Sequence, residues 1–146
     1  MQYPTILLSL FLLAACSGTA TDANEPAPAT AAAGDAHVVS PLAQRMRDMT
    51  AFADSTRLRL AQGKDLLPQP DFHDMLTLEP TPGMVDHRVY DPFAFAYLHQ
   101  LDSLYHVPAE KRAAVFDGLV GACAACHGEV CPGPLTRINK LRPARP

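Results

Sequence analysis

The amino-acid sequence predicts an all-α domain, and three observations carry that prediction. Apolar residues recur at helical spacing in three long segments, the 14 prolines fall between those segments or at their first turns, and no segment alternates convincingly as a strand. The 146 residues suffice for one domain with one core, and no internal repeat divides them.

The first 37 residues stand apart from that domain. Ile6 to Ala15 is an apolar run broken only by Ser9, shorter than the about 20 residues a membrane-spanning helix requires. It reads as a secretory signal over residues 1–15, although no Lys or Arg precedes it. The run ends in Leu13-Ala14-Ala15-Cys16, which resembles the lipobox of bacterial lipoproteins. That resemblance implies cleavage before Cys16 and lipidation of Cys16, with a lipid anchor as the chain's attachment to a membrane on the periplasmic side of the cell envelope. Ser17 resembles the residue found there in lipoproteins sorted to the outer membrane. The alternative is an ordinary cleaved signal with a soluble product. Ser17 to Ala36 holds no large apolar residue, so 16–37 reads as a flexible tether spanning about 25 Å root-mean-square.

The folded domain, 38–146, opens at Ser40-Pro41, a cap followed by a first-turn proline. Leu42, Met46, Met49, Ala53 and Leu60 follow at helical spacing, which predicts the longest helix, ending near Gln62 with Gly63 as its stop. Five prolines and a glycine punctuate Leu66 to Pro92. They leave room for a short helix from Phe72 to Leu78 capped by Asp71, and for an ordered loop from Glu79 to Tyr90. Asp91-Pro92 repeats the cap-and-proline signal and predicts a helix from Phe93 to about His106. Pro108 opens the last long helix, on which Ala109, Ala113, Phe116, Leu119, Val120, Cys123 and His127 form one stripe.

Cys123-Ala124-Ala125-Cys126-His127 stands on that stripe. Residues three and four apart on a helix are neighbours, so Cys123, Cys126 and His127 share one face and can grip one flat ligand. Cys-x-x-Cys-His is the attachment pattern of c-type haem: two thioethers to one haem c, and a histidine on the iron from the same side. The histidine's other nitrogen usually donates to a carbonyl or carboxylate, which the sequence does not identify. A redox dithiol would need the positive start of a helix, whereas this pair lies near a helix end before Gly128. A Cys3His zinc site could add Cys131, but adjacent Cys126 and His127 turn poorly towards one tetrahedral ion. The remaining alternative is a Cys123–Cys126 disulfide.

A long first helix, a proline-rich middle and a last helix ending in Cys-x-x-Cys-His resemble the cytochrome c prime family over Ser40 to Gly128. The resemblance implies an antiparallel four-helix bundle, with one helix short here and haem attached to the last. It also implies thioethers at Cys123 and Cys126 and proximal ligation by His127. High-spin members leave the iron five-coordinate and bind small gases; low-spin members supply a methionine from early in the first helix and transfer electrons. Met46 and Met49 both lie early and towards the core face, Met46 being the first choice of distal ligand and Met49 the alternative.

The expectation is a membrane-tethered monohaem cytochrome carrying single electrons between redox partner proteins of the envelope. A gas-binding protein and a zinc-stapled interaction lipoprotein are the alternatives. No acid, base or nucleophile constellation suggests an enzyme, and a net charge of −3 argues for neither nucleic acid nor strong attraction to anionic lipid. A homodimer is compatible with the sequence. His99, Asp102 and His106 share a helix face, where surface placement is expected; His73 and His87 sit in loop-rich sequence, and His37 in the tether. Cys131, Pro132-Gly133-Pro134 and the basic tail of Arg137, Lys140, Arg142 and Arg145 depart from the family. The tail reads either as a frayed terminus or as a patch for an acidic partner or for haem propionates.

Overall fold

The computed structural model describes residues 38–143, all within one compact unit. The expected signal (1–15) and tether (16–37), with Cys16 and His37, and Arg145 in the tail lie outside them. The described residues contain four α-helices and no strand: α1 (Pro41–Ala61), α2 (His87–His106), α3 (Arg112–Glu129) and α4 (Leu135–Asn139). None is long and apolar enough to cross a membrane.

α1 begins and ends where its caps require. The Ser40 hydroxyl accepts from the Ala43 N–H at 3.2 Å, Pro41 occupies the first turn, and Gly63 adopts φ 63°, the left-handed conformation that lets the chain leave the helix. The proline-rich connection is tied down at several points. Leu42 N–H donates to the Glu79 carbonyl at 3.1 Å, Ser40 and Thr81 hydroxyls lie 3.1 Å apart, and Arg45 pairs with Asp74 while stacking over Phe72. The buried Tyr90 hydroxyl donates to the Met75 carbonyl at 3.0 Å, and Tyr105 donates to that of Leu67 at 2.8 Å. Backbone groups that regular structure would have paired are thereby satisfied by side chains.

Three boundaries differ from the sequence reading. Phe72–Leu78 forms only a single 3-10 turn, His73–Leu76, with Asp71 accepting from the His73 N–H at 3.0 Å. α2 starts at His87, not after Asp91, because Asp86 is the cap: its carboxylate accepts from the Arg88 N–H at 3.0 Å and its carbonyl from Val89 and Tyr90. Pro92 therefore lies inside the helix, where it deprives one carbonyl of its partner. At the other end, Pro108 caps a 3-10 turn, Ala109–Lys111, before α3 begins, and the buried stripe starts at Phe116, since Ala109 and Ala113 are exposed.

The tail is not frayed up to Arg142. Leu135, Ile138 and Leu141 repeat at helical spacing, Ile138 and Leu141 are buried, and Arg142 pairs with Asp117 of α3 at 2.8 Å. α3, which carries the motif, is consequently not the last helix, and the short helix follows the motif instead of preceding it.

α2 and α3 form the most extensive pair, a hairpin in which Gly118 lets the Gln100 side chain approach within 3.2 Å of where a Cβ would stand. Leu104, Phe116, Leu119 and Val120 between them are nearly inaccessible to solvent. Each such side chain contributes about 1.5–3 kcal/mol through burial. α1 touches this hairpin sparsely along α3, and the space between them is the site described next.

Candidate haem site

A cavity of about 560 Å³ opens between the first three turns of α1, the first half of α2 and the end of α3. That volume lies within the range of cofactor pockets. α1 contributes Leu42, Met46, Met49, Thr50 and Ala53; α2 contributes Tyr90, Phe93, Ala94 and Tyr97. Met75, Met84 and Val85 line it from the connection. Val89, in the first turn of α2, is exposed and takes no part.

Cys123, Cys126 and His127 all face this cavity, as helical spacing dictates, and so do Met46 and Met49 from α1. The two methionines differ in environment. Met49 is buried in the core, whereas Met46 is half-buried and packs against the core's edge.

The three cysteines are free thiols. Burial foremost, with Cys126 nearby, pushes the Cys123 thiol up to about 12; burial, with Cys131 nearby, pushes Cys126 up to about 11. Burial also raises Cys131. These are the opposite of the lowered values that make a dithiol reactive, so the geometry gives no support to a thioredoxin-like role.

His127 Nδ1 lies 3.0 Å from the Cys131 carbonyl and 3.2 Å from the Cys131 sulfur. A carbonyl can only accept, so Nδ1 carries the proton and Nε2 keeps its lone pair for a metal. This is the orienting partner that the sequence did not reveal. Among the described residues, no three His, Cys, Asp or Glu side chains gather where they could hold a metal ion, so the Cys3His zinc set is not assembled.

The cavity-side position of Arg47 and the state of the Tyr97 hydroxyl escaped the sequence reading. Arg47 and Arg137 line the otherwise largely apolar cavity, and neither makes an ion pair among the described residues. The Tyr97 hydroxyl is buried without a hydrogen-bond partner, and burial raises its ionisation well above the usual range. Helical spacing marks Tyr97 as interior, but only the structure shows its hydroxyl orphaned.

The surface histidines stay away from the cavity. His73 pairs with Asp71 and His87 with Asp91, each at 2.9 Å; His106 donates to the Asp102 carbonyl at 2.8 Å; His99 is exposed.

No family model, curated protein or solved structure matches the chain.

Proposed function

We propose that this protein is a monohaem c-type cytochrome that passes single electrons in the cell envelope, tethered through a lipid on Cys16. The observation that carries the reading is the convergence of Cys123, Cys126 and His127 on one apolar cavity with methionine sulfur on its α1 side. The donor set fits the group: Cys123 and Cys126 would form thioethers with it, His127 would offer Nε2 to its iron, and a methionine sulfur from α1 would offer a further ligand. Arg47 and Arg137 offer two guanidinium groups to the propionates, the role foreseen for the basic tail at Arg137.

The haem, when bound, supplies a reversible ferric–ferrous couple. Everything else is work of the chain. Leu42, Tyr90, Phe93 and Met75 exclude water, which favours a defined potential and limits reorganisation of solvent around the charge change. Met46 is the preferred distal ligand because its side chain is not committed to the core as that of Met49 is. The fold reading that accompanies this is a haem-centred helical bundle, with α1 closing the distal side and α4 bracing the proximal end.

Expression of the full chain beside a haem-attachment system tests the proposal. Haem that stays with the polypeptide on a denaturing gel, and a low-spin spectrum unaffected by carbon monoxide, are expected. Absence of covalent haem under competent maturation sinks the cytochrome reading. A high-spin spectrum with rapid carbon monoxide binding replaces electron transfer by gas binding.

A further inference from the structure

We propose that Cys131 is a positioning residue for His127, its carbonyl and its sulfur together holding Nδ1 so that Nε2 is presented to the iron. The inference rests on the haem reading and gives the segment after the motif a purpose within it.

Two acceptors from one residue meet one nitrogen: the carbonyl at 3.0 Å and the sulfur at 3.2 Å. The cause of this placement is local. α3 closes with the Val130 N–H donating to the Cys126 carbonyl at 2.9 Å. Cys131 precedes Pro132, whose ring disfavours the helical conformation for the residue before it. The Cys131 carbonyl thus leaves the helical ladder and turns back over the last turn towards the imidazole. Beyond it, Gly133 and Pro134 lead into α4, which buried Ile138 and Leu141 and the Arg142–Asp117 pair fix to the domain. The acceptors are consequently held between two anchored helices.

The sulfur's contribution is separable from the carbonyl's. Any residue at 131 retains the carbonyl, but only a side chain with an acceptor retains the second contact. A second acceptor at Nδ1–H increases electron donation from the imidazole, which favours ferric over ferrous iron. Pro132 acts one step further away, through the direction of the carbonyl.

The test uses the full chain matured with haem, as wild type, Cys131→Ser, Cys131→Ala, Cys131→Val and Pro132→Ala. Valine fills the thiol's space without an acceptor, so it decides the matter even if the alanine variant fails to fold. At a fixed applied potential, Ala, Val and Pro132→Ala are expected to shift the ferric–ferrous ratio several-fold towards ferrous. NMR is expected to show faster solvent exchange of the His127 Nδ1 proton in the same three. Cys131→Ser, whose hydroxyl accepts in place of sulfur, should stay close to wild type in both readouts. Unchanged ratio and exchange in Cys131→Val and Pro132→Ala, with haem covalently attached, overturn the positioning role and leave the cytochrome reading intact. Mass spectrometry that finds no covalent haem overturns both.

Discussion

Tyr97 bears the least satisfied atom of the cavity. An orphaned buried hydroxyl costs about 1–3 kcal/mol, so Tyr97→Phe is expected to stabilise the haem-free protein by about 1 kcal/mol, read from its urea midpoint. The methionines separate by their surroundings. Met49→Ala should cost about 2–5 kcal/mol by opening the core, whereas Met46→Ala should cost less stability and convert a low-spin spectrum to a high-spin one. Should Met49→Ala change the spin state instead, the assignment of the distal ligand reverses. Cys123 adds a pH dependence. Its folded thiol titrates at about 12 against an ordinary 9.0, so the folded state holds a proton that the unfolded chain has lost. The stability this contributes is complete below about pH 9 and disappears as pH rises towards 12. Haem-free protein should therefore weaken through that window in denaturant titrations, and haem-loaded protein, whose Cys123 would be a thioether under the proposal, should lack this component. At this scale the sequence showed which residues converge, because helical spacing fixes direction. It could not show Cys131 behind His127, since that contact depends on how a proline redirects one carbonyl.

Among the elements, α1 was readable almost to the residue because Ser40, Pro41 and Gly63 carry its boundaries in their own chemistry. Ser40→Ala should cost about 1 kcal/mol in thermal unfolding, through loss of the cap on Ala43. The start of α2 was not readable in the same way. Asp86 and Asp91 both offer a cap signal, and the proline after Asp91 makes the wrong one the stronger; tertiary anchoring of Tyr90 to Met75 favours the earlier start. Asp86 is held below the usual carboxylate range, first by the Arg88 side chain and then by its backbone N–H. That stabilisation is present above about pH 4 and is lost as pH falls through the lowered value, so the protection of amides in the first turn of α2, measured relative to their intrinsic exchange at each pH, should fall on acidification. Asp86→Asn, which keeps a capping oxygen without the charge, should flatten this response. α4 had a signal in Leu135, Ile138 and Leu141, but five residues between a Pro-Gly-Pro turn and the terminus need the docking surface of α3 to hold them helical.

For the whole molecule, the all-α class followed from the periodicity, while the arrangement of the helices followed from contacts far apart in sequence. α2 and α3 pack on each other directly; α1 faces them across a cavity of about 560 Å³. Under the haem reading, much of what α1 packs against is the prosthetic group. A Cys123→Ala/Cys126→Ala variant, unable to hold haem covalently, should keep amide protection in α2 and α3 and lose it along the first half of α1. Equal protection throughout would show that α1 needs no ligand to dock. Under the proposal of an exported, haem-loaded chain, the sparse seam between α1 and the hairpin has a further consequence. A chain that has missed its haem would present a loosened, cleavable first helix, and a chain that has received it would not. Envelope proteases could then distinguish finished from unfinished molecules without any dedicated recognition signal.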